Sequence, residues 1–200
     1  MKFFNIFPLI SFLLITLAVI SRILYLRSKG IEVNSNKAES PVYKFLLFPV
    51  FGVLTLLWIF QLVDAAFTLP VNILPSWLQY KVTESKFLTL TGFVITTASL
   101  VLMILSLYHL KESLRFGHDS NNLGQLVTSG VFAISRNPFF LSVNLYFTGL
   151  ALIKPSLFFI MMALMSVLSI HHFILKEEKF LKKHYSNDYI DYSGKVRRYL

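Results

Sequence analysis

The sequence predicts an all-α, polytopic membrane protein with three transmembrane helices, a C-terminal helical hairpin and a cytoplasmic tail. Hydrophobic residues make up 55% of the 200 positions and charged residues only 14%. The hydrophobic residues are concentrated in five segments, most of which are long enough to span a bilayer. Because lipid offers backbone amides no hydrogen-bond partner, such segments cross the membrane as helices.

The five segments follow one another along the chain, separated by polar or proline-containing stretches. The first follows Lys2 and has no small-residue cleavage pattern after it, so we expect it to be retained as a helix. Pro41 opens the second segment, and Pro70 and Pro75 end it, because proline cannot continue a helix. The segments are residues 3–26, 42–69, 87–110, 138–153 and 155–174.

The last two segments are predicted to form the hairpin. Residues 138–153 would give about 24 Å of helix, which is short of a hydrocarbon thickness of roughly 30 Å. Lys154 and Pro155 separate this segment from the next, so Lys154 is expected at the tip of the hairpin. Residues 176–200 are charged and rich in tyrosine, and we expect them to form a tail that is too polar to span the membrane.

The distribution of Lys and Arg predicts the orientation. The 27–44 loop, the 111–137 loop and the tail fall on one side and carry fourteen of these residues, against four on the other side. Cytoplasmic loops are enriched in Lys and Arg, so the N-terminus is predicted outside, with the 111–137 loop and the tail in the cytoplasm. Basic loops facing anionic lipid also account for the net charge of +9, and no nucleic-acid partner is expected.

Few side chains inside or beside these segments suggest chemistry. The chain has no cysteine, which excludes disulfides and thiol catalysis. His171 and His172 are adjacent and therefore diverge by about 100° on a helix, so together they cannot bind one metal ion, and no metal is expected. Asp64 and His109 lie near predicted helix ends, where a position at the membrane interface is the simpler interpretation.

Two polar stretches each allow two interpretations. Glu177 and Glu178 are either a solvated helix continuation, with pairs such as Glu178 to Lys182, or a site for a cationic or hydroxyl-bearing ligand. Residues 135–138 either start a helix, since proline is tolerated in the first turn, or present helix amides to an anionic group. The predicted topology places both stretches on the same side of the membrane.

Four motifs occur in a specific order in the C-terminal half. They are Leu126-Val-Thr-Ser-Gly-Val-Phe132, Ser135-Arg-Asn-Pro138, Glu177-Glu-x-x-Leu181 and Tyr189-x-x-Tyr192-x-x-x-Val196-x-Arg198. With the hairpin between the second and third motifs, this arrangement resembles the isoprenylcysteine carboxyl methyltransferase family, to which the phospholipid N-methyltransferases are related. The resemblance covers about residues 115–198. It implies N-terminal transmembrane helices in residues 1–110 and a methyltransferase-like region in residues 111–200.

The resemblance implies S-adenosylmethionine (AdoMet) as the methyl donor, bound without a metal between the loop before the hairpin and the tail after it. Glu177 stands at the family's donor-binding glutamate, so its loss is expected to weaken donor binding more than the loss of Glu178. The family has histidine at Asn137 and tyrosine at Phe132 and Phe140. The positions implied in donor binding are Gly124, Gln125, Leu126, Val127, Phe132, Asn137, Pro138, Phe139, Phe140 and Glu177.

The function implied is methyl transfer to a lipophilic acceptor that reaches the site from the lipid bilayer. A carboxylate acceptor is ionised at neutral pH and needs no general base, and an arginine could hold it through two hydrogen bonds. Arg136, Arg197 and Arg198 are the candidates for that catalytic role. Three alternatives stay open, namely a phospholipid N-methyltransferase, an NADPH-dependent membrane reductase on a similar scaffold, and a non-catalytic membrane accessory protein.

Overall fold

The all-α fold class is confirmed by a computed structural model, which describes residues 2–31, 48–110 and 125–200. Over those ranges the named elements are helices: α1 (Lys2–Ser28), α2 (Phe48–Phe67), α3 (Lys86–Leu110), a 3-10 helix (Gly130–Ala133), α4 (Pro138–Ile153) and α5 (Leu157–Lys195). Four of them, α1, α2, α3 and α5, are long and apolar enough to cross a membrane. The shorter α4 has 16 residues, as the sequence predicts.

The predicted hairpin is formed by α4 and α5, with Lys154 at its tip. Lys154 follows the last residue of α4, and its ammonium donates a hydrogen bond to Asn5 Oδ1 on α1 at 2.7 Å. The chain between α2 and α3 also closes on the tip, where the Val82 amide donates to the Pro155 carbonyl at 2.9 Å. These contacts hold α4 and α5 antiparallel and bring the start of α4 close to the polar part of α5.

The last helix continues beyond its apolar part, which the sequence analysis did not predict. Residues 157–174 form the membrane-length part of α5, and the helix then runs through most of the predicted tail to Lys195. Lys, Glu and Leu dominate the start of that polar part and are good helix formers. Ser186 interrupts the helix with φ 46° and ψ −117°, a conformation that favours glycine.

Asp64 and His109 lie near helix ends, as expected. Asp64 Oδ1 accepts a hydrogen bond from the Leu69 amide at 3.0 Å, so the carboxylate binds the chain just beyond α2. His109 lies in the last turn of α3, where its Nδ1 is 2.8 Å from the Leu105 carbonyl oxygen. Both side chains therefore have local structural contacts.

The tightest helix contact is the crossing of α3 and α4. A Cβ atom at Gly92 would lie 2.5 Å from the Gly149 carbonyl oxygen and 2.8 Å from the Ile153 nitrogen. The buried Thr96 hydroxyl donates to the Gly92 carbonyl at 2.8 Å, so this hydrogen bond lies within α3 and does not link the two helices. Small residues at a crossing allow two membrane helices to approach through their backbones. This contact fixes α4, and with it the segment that leads into α4.

We expect Gly92→Ala to destabilise the protein by about 1–3 kcal/mol, because the added methyl group forces two packed backbones apart. The measurement is thermal unfolding of the purified protein in detergent. Gly52→Ala on α2 is the matched control, since a Cβ at Gly52 meets nothing within 4 Å. This control should be neutral or slightly stabilising, because alanine favours a helix. Equal unfolding temperatures for the two variants would contradict the tight crossing.

Candidate functional site

The segment before α4 turns at Gly130, the first residue of the 3-10 helix. Its φ of 65° lies in the left-handed region. A Cβ atom at this position would collide with the ring of His109 at the end of α3. Glycine is therefore required at position 130 for two reasons, the backbone conformation and the lack of space for a side chain. The contact holds the 3-10 helix against the end of α3.

Hydrogen bonds join this segment to the C-terminal residues 196–200. The Arg136 amide donates to the Arg197 carbonyl at 2.9 Å. The side-chain amide of the next residue, Asn137, donates to the Arg198 carbonyl at 3.1 Å. The bonded residues are about 60 positions apart in the sequence. The structure thus brings the loop before the hairpin and the end of the tail into direct contact.

Tyr192 makes a third link between loop and tail. Its buried hydroxyl donates to the Phe132 carbonyl at 2.6 Å. Burial raises the pKa of Tyr192 to about 12, so the hydroxyl keeps its proton at neutral pH and remains a donor. We call the region joined by these bonds, residues 130–137 with residues 177–199, the loop–tail junction.

A cluster of three charged side chains lies at the centre of the loop–tail junction. Arg198 binds Glu178 through two hydrogen bonds, with Nε 3.0 Å from Oε1 and Nη2 2.8 Å from Oε2. Arg136 Nη2 lies 3.3 Å from Glu178 Oε1. The side chains of Glu178 and Arg136 are only 13% and 14% exposed. Paired hydrogen bonds between guanidinium and carboxylate are strong and directional, so Glu178 connects the loop, α5 and the C-terminal residues.

Two polar side-chain atoms of the loop–tail junction are enclosed and have no hydrogen-bond partner in the described part of the chain. They are Glu177 Oε2 and Arg136 Nε, an acceptor and a donor. Glu177 lies beyond the apolar part of α5, and burial, followed by the charge of Glu178, raises its carboxyl pKa from near 4.5 to about 7. Burial also raises the pKa of Tyr189, while a hydrogen bond from Arg136 opposes that shift.

The residues implied in donor binding divide into four groups. Gly124 lies outside the described residues. Gln125, Leu126 and Val127 precede the 3-10 helix in irregular chain, with Gln125 exposed and the other two half-buried. Phe132, Asn137 and Glu177 lie in the loop–tail junction. The first two are buried there, and they contribute a carbonyl and a side-chain amide to its hydrogen bonds.

The remaining three implied residues form the first turn of α4. Pro138 is buried, and Phe139 packs against a cluster of Leu26, Met103 and Leu107 on α1 and α3. The ring of Phe140 lies 5.2 Å from the ring of Phe173 on α5. This contact between the start of α4 and α5 is apolar.

The three arginines proposed for catalysis are not equivalent. Arg136 and Arg198 both bind Glu178, as described above. The Arg197 side chain is exposed, and only its backbone carbonyl takes part in the junction. The structure therefore brings two of the three together, around a carboxylate of the protein itself.

Two residues of the junction were not among the predicted site residues. Tyr192 binds the loop, and the buried Ser135 accepts a hydrogen bond from the Asn137 amide at 3.2 Å. The spacing of Tyr189 and Tyr192 places both on one face of a helix, which is the signal that could have identified Tyr192. Ser135 opens the Ser135-Arg-Asn-Pro138 motif, but no spacing in the sequence identifies its hydroxyl as a hydrogen-bond acceptor.

The described residues contain no group of three His, Cys, Asp or Glu side chains that could hold a metal ion. His171 lies near the C-terminal end of the apolar part of α5, and its partner is a tyrosine of the chain's last residues. Its Nδ1 lies 2.9 Å from the Tyr199 hydroxyl, which ties the end of the chain to α5 a second time.

The comparison with known proteins gives one family match. A family model described as phospholipid methyltransferase matches residues 87–188, just over half of the chain. The match includes α3, the 3-10 helix, α4 and most of α5, so it starts further towards the N-terminus than the resemblance drawn from the motifs. No curated protein and no solved structure matches.

Proposed function

This chain belongs to the phospholipid methyltransferase family, and we propose that it transfers a methyl group from AdoMet to a lipophilic acceptor at the loop–tail junction. Membership of the family and the membrane-length helices make it a membrane methyltransferase. The observation that supports the donor site is the pair of enclosed, unpartnered atoms, Arg136 Nε and Glu177 Oε2.

The two atoms match the two charges at the amino-acid end of AdoMet, a carboxylate and an ammonium group. A guanidinium N–H suits the carboxylate, and a glutamate oxygen suits the ammonium group. Buried polar atoms without partners are rare in folded proteins, and each calls for a reason such as a bound ligand or water. Arg136 and Glu177 therefore fit this donor, with Glu178 holding the Arg136 side chain in place.

The chain's own contribution to the reaction is alignment. AdoMet supplies a methyl group already activated by a sulfonium centre, which is transferred by in-line displacement. What the protein must add is correct placement of donor and acceptor and the exclusion of water. The junction serves both tasks, because it joins the loop, α5 and the C-terminal residues through buried hydrogen bonds.

One observation favours the N-methyltransferase alternative for the acceptor. A carboxylate acceptor would need a free arginine, but Arg136 and Arg198 bind Glu178, and Arg197 is exposed. An amine acceptor needs no arginine, although its ammonium form must first lose a proton to water or to a base. Transfer of a labelled methyl group to a lipid extract distinguishes the two, since alkali releases the label from a methyl ester and leaves it on an N-methyl group.

We expect AdoMet to bind the purified protein in detergent, with an affinity that falls about tenfold per pH unit below pH 7. The donor's ammonium group needs ionised Glu177, whose pKa burial raises to about 7. Binding at pH 6 must therefore release a proton, and binding at pH 8 should not. Calorimetric titration in buffers of different ionisation enthalpy measures both the affinity and the proton released.

The same titration with two other ligands provides the controls. S-adenosylhomocysteine keeps the amino-acid end and should show the same dependence on pH. NADPH should not bind. No binding of AdoMet at any pH would contradict the proposed function, and binding of NADPH in its place would support the reductase alternative.

A further inference from the structure

The polar part of α5 carries a row of lysines on the side turned away from Glu177 and Glu178. Lys176, Lys179 and Lys183 fall within about 60° of one another around the helix, at roughly 100° per residue. We call these three residues the basic face. All three are exposed, whereas the two glutamates take part in the loop–tail junction.

The fold leaves the charge of the basic face without compensation. Glu177 and Glu178 are the only acidic residues between the apolar part of α5 and its bend. Glu178, which helical spacing would pair with Lys182, binds two arginines of the junction instead. Glu177 Oε2 is enclosed. Within the described residues, no ion pair involves Lys182 or a lysine of the basic face. The basic face is therefore an uncompensated positive surface.

The basic face also begins where the apolar part of α5 ends. Lys176 and Lys179 lie two and five residues beyond Ile174, which is about 3 and 8 Å of helix. The headgroup region on each side of the hydrocarbon core is roughly 5–8 Å thick. With Ile174 level with the edge of the hydrocarbon, these two ammonium groups lie at the depth of the headgroups. Lys183 lies about 14 Å beyond Ile174, and its long side chain can lean back towards the surface.

We propose that the basic face binds the headgroups of anionic phospholipids in the membrane that surrounds α5. The phosphate oxygens of a lipid with a net negative charge accept hydrogen bonds from the lysine ammonium groups. Each lysine close to an anionic membrane surface raises the affinity for it about fivefold. The bound lipid lies outside the donor site and undergoes no reaction, so this binding does not depend on the proposed function.

The absence of cysteine from the chain allows the lipids beside this surface to be measured locally. His172→Cys and Tyr108→Cys each provide one site for a fluorophore. His172 is exposed and lies one turn before Lys176 on the same side of α5. Tyr108 is 72% exposed and precedes His109, which contacts the 3-10 helix, so it reports on the same end of the molecule.

The labelled full-length protein is reconstituted into phosphatidylcholine vesicles that contain a small fraction of a quencher lipid. The quencher is phosphatidylglycerol or phosphatidylcholine with a nitroxide near the headgroup end of one acyl chain. At His172 we expect the anionic quencher to be enriched over the zwitterionic one at least about threefold relative to Tyr108. Replacing the basic face (Lys176→Gln, Lys179→Gln and Lys183→Gln) should remove this preference. An unchanged preference in that variant would overturn the proposal.

A matched variant separates local charge from net charge. Lys2→Gln, Lys81→Gln and Lys86→Gln together remove three exposed lysines at the other end of the molecule. The preference at His172 should persist in this variant, and an equal loss would mean that net charge alone attracts the lipid. Raising the salt concentration to about 1 M shortens the Debye length to about 3 Å and should also weaken the preference.

A soluble acidic ligand tests the competing occupant, an acidic protein. Polyglutamate is titrated into the labelled protein in vesicles that lack anionic lipid. Lipid enrichment at His172 that depends on the basic face is the expected result. Binding of polyglutamate through the basic face without any enrichment of the anionic quencher would assign the surface to a protein partner and overturn the proposal. Both triple variants should unfold at the wild-type temperature, because the substituted residues are exposed.

Discussion

Glu178→Ala is expected to lower the free energy of unfolding by about 2–3 kcal/mol and to weaken AdoMet binding, though by less than the loss of Glu177 does. Removing one partner of a buried ion pair typically costs about 3–5 kcal/mol, because a buried charge is left unpaired. The value expected here is smaller because Arg198 is 35% exposed and can be solvated. Arg136, at 14%, cannot be solvated as easily, and it would lose the carboxylate that positions it.

Thermal unfolding in detergent and calorimetric titration measure the two effects of Glu178→Ala. Lys182→Ala is the matched control, because Lys182 is the partner that helical spacing alone assigns to Glu178, and it is exposed. An exposed substitution of this kind usually changes stability by no more than about 0.5 kcal/mol. If Lys182→Ala were as damaging as Glu178→Ala, the helix pair rather than the arginine cluster would be the important contact.

The architecture could be predicted because it depends on features that are local in the sequence. The lengths of the apolar segments and the Lys154-Pro155 break suffice for the hairpin, and the structure has Lys154 at its tip. The contact between loop and tail follows from their predicted position on one side of the membrane. The extension of α5 to Lys195 could not be predicted, because a charged segment is equally compatible with a solvated tail and with a helix held by distant partners.

The pairing within the site could not be predicted for a related reason. Glu178 has Lys182 four residues away, whereas its actual partner Arg198 is 20 residues away, beyond the bend at Ser186. Periodicity reports neighbours on one helix and is silent about contacts formed after a bend. In the same way the motif contains Gly130, but only the structure shows that the His109 ring occupies the space that a side chain there would need.

Glu177→Gln is expected to weaken AdoMet binding by about 10- to 100-fold without lowering the unfolding temperature. Hydrogen bonds to charged groups are worth about 1.5–3 kcal/mol, which corresponds to this loss of affinity. Stability should not fall, because Glu177 Oε2 has no partner in the described protein to lose. Lys176→Gln is the control, since Lys176 is exposed and adjacent.

The sign of the pH effect makes the Glu177 prediction specific. Its pKa is raised from near 4.5 to about 7, so the folded state holds the proton more tightly than the unfolded state. Burial of this carboxyl therefore costs no stability at low pH, costs more as pH rises from 4.5 to 7, and costs a constant amount above 7. Glutamine removes that cost, so Glu177→Gln should be at least as stable as the wild type at pH 8.

The two neighbouring glutamates are thus expected to differ in their effect on stability. Glu178→Ala should lose stability and some donor affinity together, because Glu178 binds two arginines of the protein. Glu177→Gln should weaken donor binding without loss of stability. The remaining donor affinity should no longer depend on pH below 7. Wild-type AdoMet affinity in Glu177→Gln would show that the unpartnered carboxyl does not bind the donor. A matching loss of stability in both variants would show that Glu177 has a structural role instead.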